Sequence, residues 1–333
     1  MMYSNPMKLA LAPMEGLVDV HMRTLLTRSQ AFDYCVTEFL RITNQLLPER
    51  VFTRLCPEAL NGWQTPSGTP VHLQLLGNDP VAMADNACRG IELGAPVIDV
   101  NFGCPSKCVN NSMGGSILLK EPESLYRVLS AMRKAMPEGT PLTAKMRLGY
   151  EDKSRALENA QAVQAAGASM LCIHARTKVE GYKPPAHWEW IAKIKQDVNI
   201  PIMANGEIWT LEDYLNCQQA SECDDIMLGR GAVATPDLAL QIRQHQNAQA
   251  HVIQAWPDYL NDLLWMLRTT VDGGNIKFAA DRIKQWLAFF KMQHVEASEF
   301  FEKAKRLKHH EEMEKLISSE IESLQSVSYK ASV

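Results

Sequence analysis

Residues 100–115 read VNFGCPSKCVNNSMGG, which sets Cys104 between a glycine and a proline, with Asn101 three positions before it and Cys108 four after. A thiol of ordinary pKa, about 8.5, is mostly protonated at neutral pH yet acidic enough to release its proton, so a cysteine held in a rigid turn suits a general acid. Asn101 offers a donor and an acceptor to the edge of a heterocycle. A zinc clip is the poorer reading, because Cys104 and Cys108 have no second ligand pair at suitable spacing among the remaining Cys and His. Lys145 lies in the apolar run LTAKMR, a costly place for a cation unless an anion or an electron-rich ring meets it. A strand-end carboxylate would serve, and so would a flavin, whose reduced ring is anionic at N1 and O2. Gln74 and Asn205 have amides suited to the edge of such a ring. His174 is open to three roles: orienting the ring, acting as an acid, or sitting as a hydrogen-bonded core histidine. Asn205-Gly206-Glu207 and Gly229-Arg230-Gly231 are glycine turns of the kind that present backbone N–H groups to a phosphate, and Arg230 adds a charge-assisted bond.

Such residues need strand ends to bring them together. Eight short apolar runs recur over the first 230 residues: LALAP (9–13), YCVTEF (34–39), VHLQLLG (71–77), VIDVNFG (97–103), LTAKMR (142–147), MLCIHA (170–175), PIMANG (201–206) and DIMLGRG (225–231). Helix-period segments such as ESLYRVLSAMRKAM (123–136) and ALENAQAVQAAGA (156–168) alternate with them. An open doubly wound sheet competes, but eight units ending in polar or glycine residues favour an α/β fold of the (β/α)8 TIM-barrel type, with its chemistry at the strand C-termini. Beyond residue 245 only helical periodicity remains. The expected division is therefore a barrel over residues 1–245 and an all-helical C-terminal domain over 246–333.

The 333 residues, 46% hydrophobic and 22% charged, describe an ordinary globular chain with no apolar run long enough to span a bilayer. The N-terminus lacks the pattern of a secretory signal, and eight cysteines fall below the density of a disulfide scaffold, so a cytoplasmic location is expected. A net charge of −4 argues against bulk attraction to polyanions. Charge is segregated, however. From Arg282 to His310 seven Lys or Arg stand against three Glu, and residues 311–322 carry five Glu against one Lys. The basic stretch, with Trp286, Phe289 and Phe290 interleaved, is either a nucleic-acid face or a solvated helix surface. Trp286 and at least one Phe are expected in the helical core.

LAPMEG, NFGCPSK, LTAKMRLG, IHARTK, ANGEI and LGRGA, in this order, closely resemble the tRNA-dihydrouridine synthase family over nearly the whole chain, and TEFLR and RIKQWL look most like its bacterial C subgroup. The resemblance implies a TIM barrel with a C-terminal helical domain, FMN as cofactor, NADPH as reductant and reduction of uridine at tRNA position 16. It transfers FMN contacts to Pro13, Met14, Glu15, Gln74, Lys145, His174, Asn205, Gly206, Glu207, Gly229 and Arg230, and the general acid to Cys104. tRNA contacts transfer to Arg41, Asn101, Tyr182, Arg282, Lys284, Phe289 and Lys305. No metal and no obligate protein partner is implied. Three positions depart from the pattern: Phe289 replaces a tyrosine, Ala175 a glycine, and Cys108 occupies a variable position.

Hydride addition at uracil C6 leaves charge over C5 and O4, so C5 must then be protonated, the role that Cys104 fits. A flavin dehydrogenase acting on a free pyrimidine such as dihydroorotate explains the barrel residues but leaves the basic helices without a task. An RNA-binding scaffold without turnover leaves Cys104 and Lys145 unexplained.

Overall fold

The structure is a computed structural model that describes residues 7–250 and 253–331. Among the described residues nine strands form one all-parallel sheet: β1 (Leu9–Leu11), β2 (Tyr34–Val36), β3 (Leu40–Arg41), β4 (Val71–Leu76), β5 (Ile98–Phe102), β6 (Leu142–Arg147), β7 (Met170–His174), β8 (Ile202–Asn205) and β9 (Ile226–Leu228). Pairing of β1 with β9 and of β2 with β4 closes eight of them into a barrel. All eight expected strands are present. The ninth, β3, is a two-residue extension along the end of β4, too short to leave a pattern in the sequence.

Helices cross between the strands: α1 (Val20–Leu26), α2 (Glu49–Leu55), α3 (Pro80–Glu92), α4 (Lys107–Asn111), α5 (Pro122–Ala135), α6 (Ala156–Ala165), α7 (Trp188–Asp197) and α8 (Leu211–Ser221). Strands sheathed by helices are buried on both faces, which is why they read as continuous apolar runs. The starts of α1 and α3 are fixed by Asp19 and Asp79, whose carboxylates accept from the N–H groups of Met22 and Ala82.

Side chains alternate faces along a strand, so every second residue points into the barrel. Ala10, Ala12, Tyr34, Val36, Cys172, Met203 and Met227 form one buried cluster there. Tyr34 stacks on His72 with ring centroids 4.1 Å apart, and its hydroxyl donates to Met203 Sδ at 3.3 Å. The same alternation carries Gln74, Asn101, Lys145, His174 and Asn205 inward, nearer the C-terminal strand ends.

The chain divides into two compact units, Met1–Gly229 and Arg230–Val333. The second is all-helical: α9 (Arg230–Ala234), α10 (Leu238–Gln246), α11 (Trp256–Asp272), α12 (Ile276–Phe290), α13 (Val295–Ala304) and α14 (His310–Ala331). The division falls earlier than residue 245 because α9 and α10 are bonded to the helices after them. Trp286 Nε1 donates to the Val233 carbonyl at 2.8 Å, the His294 ring meets the Ala234 carbonyl at 3.0 Å, and the Tyr259 hydroxyl donates to Asp237 at 2.7 Å. Trp286 and Phe290 are fully buried and stacked at 4.9 Å, as expected of the aromatic residues in the basic stretch.

Candidate active site

At the C-terminal end of β5, the Asn101 carboxamide oxygen accepts from the backbone N–H groups of Gly103 and Cys104, both at 2.9 Å. This turn lifts Cys104 off the strand into a half-buried position. The Cys104 carbonyl is held from the other side by Asn110 Nδ2 at 3.0 Å and Ser116 Oγ at 2.8 Å. Arg147 Nε donates to the Gly103 carbonyl at 2.9 Å. Gly115, at φ +66°, passes so close that an added Cβ would stand 3.0 Å from Cys104 Cβ. Gly115 therefore lets the following turn pack onto Cys104. Burial raises the thiol above its ordinary pKa, with nearby Glu15 adding to the effect and Arg147 and Arg41 opposing it, so the group is protonated at neutral pH.

Behind Asn101 lies a buried polar chain. Asn101 Nδ2 donates to Gln74 Oε1 at 2.8 Å, Gln74 Nε2 donates to Asp99 Oδ2 at 2.7 Å, and the Thr143 hydroxyl donates to Asp99 Oδ1 at 2.6 Å. Strand register puts Gln74 beside Asp99 and Asn101 beside Lys145. Asp99 escaped the sequence reading, although a charged residue inside VIDVNFG raises the same question as Lys145 inside LTAKMR.

Lys145 Nζ donates to Asn205 Oδ1 at 2.9 Å, and Asn205 Nδ2 donates to the Met227 carbonyl at 2.8 Å. Burial pushes the Lys145 ammonium below its ordinary pKa. His174 is buried, meets Tyr182 edge-on at 5.9 Å, and lies 3.3 Å from where a Cβ on Gly206 would stand. Gly206 has φ +115°, so glycine is required there for both conformation and space. Glu207 accepts from buried Arg176 at 2.5 Å. Met14 turns the chain after β1, its carbonyl accepting from the N–H groups of Leu17 and Val18. Glu15, which follows, is held above its ordinary pKa by desolvation and by Glu38. The Met14 sulfur and the Asn205 amide lie 3.8 and 4.0 Å from where a Cβ on Gly229 would stand, so the ends of β1, β8 and β9 converge.

Tyr182 is half exposed above Arg147, whose guanidinium lies 5.1 Å from its ring. Arg147 also donates to the carbonyls of Thr177 and Gly181, fastening the loop that carries Tyr182. Arg41 donates to Cys108 Sγ at 3.3 Å and to Ser112 Oγ at 2.5 Å. Cys108 thus packs against Arg41. A cleft of about 360 Å³ opens beside them, lined by Asn44, Asn78 and Asp79 among others.

This mouth combines a neutral thiol, a half-buried lysine and converging glycine turns at barrel strand ends, and the profile of the dihydrouridine synthase family matches residues 10–328. The chain belongs to that family. It is a family of flavin-dependent oxidoreductases that reduce uridine in tRNA to dihydrouridine. The tRNA-dihydrouridine(16) synthase of Pseudomonas putida is 49% identical over 90% of this chain and 93% of that protein. Its counterpart in Shewanella oneidensis is 48% identical over 93% of this chain and 97% of that protein. A solved 2-naphthoyl-CoA reductase shares the fold alone, at 13% identity and a TM-score of 0.53, covering 73% of this chain and 50% of that one.

In this dihydrouridine synthase the expected tRNA-binding residues of the helical unit are already paired. Lys284 bonds Asp281 at 2.6 Å and the Leu307 carbonyl at 2.9 Å, Arg282 bonds Gln285 at 2.6 Å, and Lys305 bonds Glu302. Phe289 is half-buried one position before the core residue Phe290. Arg230 opens α9 directly after Gly229. Among the described residues no group could hold a metal, and no helix is long and apolar enough to cross a membrane.

Proposed function

We propose that this enzyme reduces uridine 16 in the tRNA D-loop to 5,6-dihydrouridine in the cytoplasm, with FMN as its flavin and NADPH as reductant, and that Cys104 donates the proton to C5. The observation that carries the reading is a protonated thiol fixed at the barrel mouth from both sides, at the end of the strand next to that of a half-buried lysine whose ammonium donates to the neutral amide of Asn205. Lys145 fits an electron-rich ring, because an anion at that place would restore the charged state that burial disfavours. Pro13, Met14, Glu15, Gln74, Lys145, His174, Asn205, Gly206, Glu207, Gly229 and Arg230 would hold the flavin. Gln74, its amide engaged with Asn101 and Asp99, keeps one Nε2 hydrogen for it.

When bound, the flavin supplies the hydride that uracil takes at C6. Charge then develops over C5 and O4. Cys104 transfers its proton to C5, leaving a thiolate that Arg147 and Arg41 stabilise electrostatically. Asn101 donates its second Nδ2 hydrogen to O4, where the charge grows. A uridine in folded tRNA reaches this mouth only when extruded, so the surrounding RNA must be gripped. Arg41, Asn101 and Tyr182 meet the extruded nucleotide, while Arg282, Lys284, Phe289 and Lys305 of the helical unit contact the RNA around it.

Mapping dihydrouridine in tRNA from cells lacking this gene tests the assignment. Loss at position 16 alone is expected, and loss at another position would overturn it. Turnover of free uridine or dihydroorotate by the purified enzyme would favour a free-pyrimidine dehydrogenase instead.

A further inference from the structure

The chain from Asp99 to Cys104 has a direction, and that direction matters chemically. A carboxylate can only accept. Asp99 accepts on both oxygens, from the Thr143 hydroxyl at 2.6 Å and from Gln74 Nε2 at 2.7 Å. With Nε2 committed to Asp99, Gln74 turns Oε1 toward Asn101. Asn101 must then answer with Nδ2, at 2.8 Å, which leaves Oδ1 to accept from the Gly103 and Cys104 N–H groups. Reversing either amide would set oxygen against oxygen or N–H against N–H at each later link. Gln74 is 0% and Asp99 5% exposed, so the link between them is held away from bulk water, while Asn101 is half-buried at the mouth. Water cannot substitute for a missing partner inside such a chain, so a wrong orientation leaves polar groups unsatisfied.

We propose that Asp99 is a positioning residue that fixes the polarity of the Gln74 and Asn101 amides, and through them both the Cys104 turn and the donor that Asn101 presents to the base. The inference rests on Cys104 and Asn101 meeting the substrate uracil. It adds a basis for choosing the base. Asn101 Oδ1 already accepts two backbone bonds, so the amide offers the mouth a donor. That donor suits the O4 carbonyl of uracil and opposes the exocyclic amine that cytosine carries at the same place.

The test is a polarity swap in the full-length holoenzyme. Asp99→Asn frees the first link to reverse, and Gln74→Glu alone sets two carboxyl groups against each other. The double variant Asp99→Asn/Gln74→Glu restores the direction, because the amide introduced at position 99 donates to the acceptor-only carboxylate introduced at position 74, which again accepts from Asn101. Three quantities are read: flavin content, the single-turnover rate of the reduced enzyme on a tRNA transcript, and the iodoacetamide alkylation rate of Cys104 in tRNA-free protein, followed on its own peptide by mass spectrometry.

Each single variant is expected to lose about 100-fold in single-turnover rate and to shift Cys104 alkylation severalfold, while the double variant, which lacks the Nε2 hydrogen that Gln74 keeps for the flavin, recovers the wild-type alkylation rate and only part of the turnover. A folded, flavin-loaded double variant that recovers neither quantity overturns the proposal, as does Asp99→Asn with wild-type rate and alkylation. Should Asp99→Asn fail to fold, a folded double variant with wild-type alkylation still supports it. If Cys104→Ala keeps full tRNA turnover, the acid assignment fails by itself, and alkylation still decides the role of Asp99.

Discussion

The barrel mouth and the basic segment of the helical unit hold their polar groups in opposite ways. At the mouth, Asp99, Gln74 and Asn101 are bonded to one another within the barrel, Cys104 is fixed by Asn101, Asn110 and Ser116, and Arg147 holds the Gly103 carbonyl before it. In the helical unit several cations sit in surface pairs, Lys284 with Asp281 and Lys305 with Glu302 each within one helix turn, and Lys303 with Glu320 between α13 and α14. Pairs of this kind are each worth only about 0–1 kcal/mol in water. A phosphate can therefore displace the carboxylate at little cost. The mouth is preorganised for one geometry, whereas the helical surface can rearrange around an RNA backbone. On the proposed function, one region would set the chemistry and the other the grip on RNA.

That contrast can be broken at several points. The largest effect is expected from Asn101→Ala, which removes the acceptor for two backbone N–H groups and the donor proposed for O4. Single-turnover rate should fall by roughly 100- to 1,000-fold with flavin content unchanged, and a loss confined to KM for tRNA would move Asn101 to the gripping region. Arg147→Met leaves the Gly103, Thr177 and Gly181 carbonyls without their cation. It should cost about 3 kcal/mol in chemical denaturation and loosen the loop bearing Tyr182, detectable as faster amide exchange over residues 177–183.

A subtler effect is the pH profile. Because the folded thiol is raised above its ordinary value and must be protonated to act, rate should hold through neutrality and fall only as pH rises past roughly 8.5, measured under single turnover. A rate that already declines as pH rises through roughly 6.5 would point to a histidine as the donor. The smallest change is expected from Lys305→Gln, which should raise KM for tRNA a few fold, leave the single-turnover rate unaltered and lower the salt slope of tRNA binding by about 1. An unchanged salt slope would mean that Lys305 faces solvent rather than phosphate.

How much was legible in the sequence follows from the range of the interactions. Eight strands were readable because each is an apolar run ended by polar residues, and strand alternation then sends Gln74, Asn101, Lys145, His174 and Asn205 inward together. The earlier division of the chain was not readable. The helices 230–246 have the periodicity of barrel helices, and their association is decided by Val233 and Ala234 carbonyls that meet Trp286 and His294 far along the chain. Cys104 stood out through its glycine and proline neighbours, but the work of Asn110, Gly115 and Ser116 in holding it depends on a loop folding back upon itself. Asp99 was visible as a charge within an apolar run, yet its link to Cys104 passes through Gln74 on a different strand, a pairing that only the register of β4 and β5 creates.

The central claim is that Cys104 supplies the proton, and the most direct test is Cys104→Ala assayed in both half-reactions. Wild-type flavin content and NADPH-dependent flavin reduction, with dihydrouridine formation in tRNA lowered by about 100- to 10,000-fold, is the predicted result. Full turnover of tRNA by that variant would contradict it.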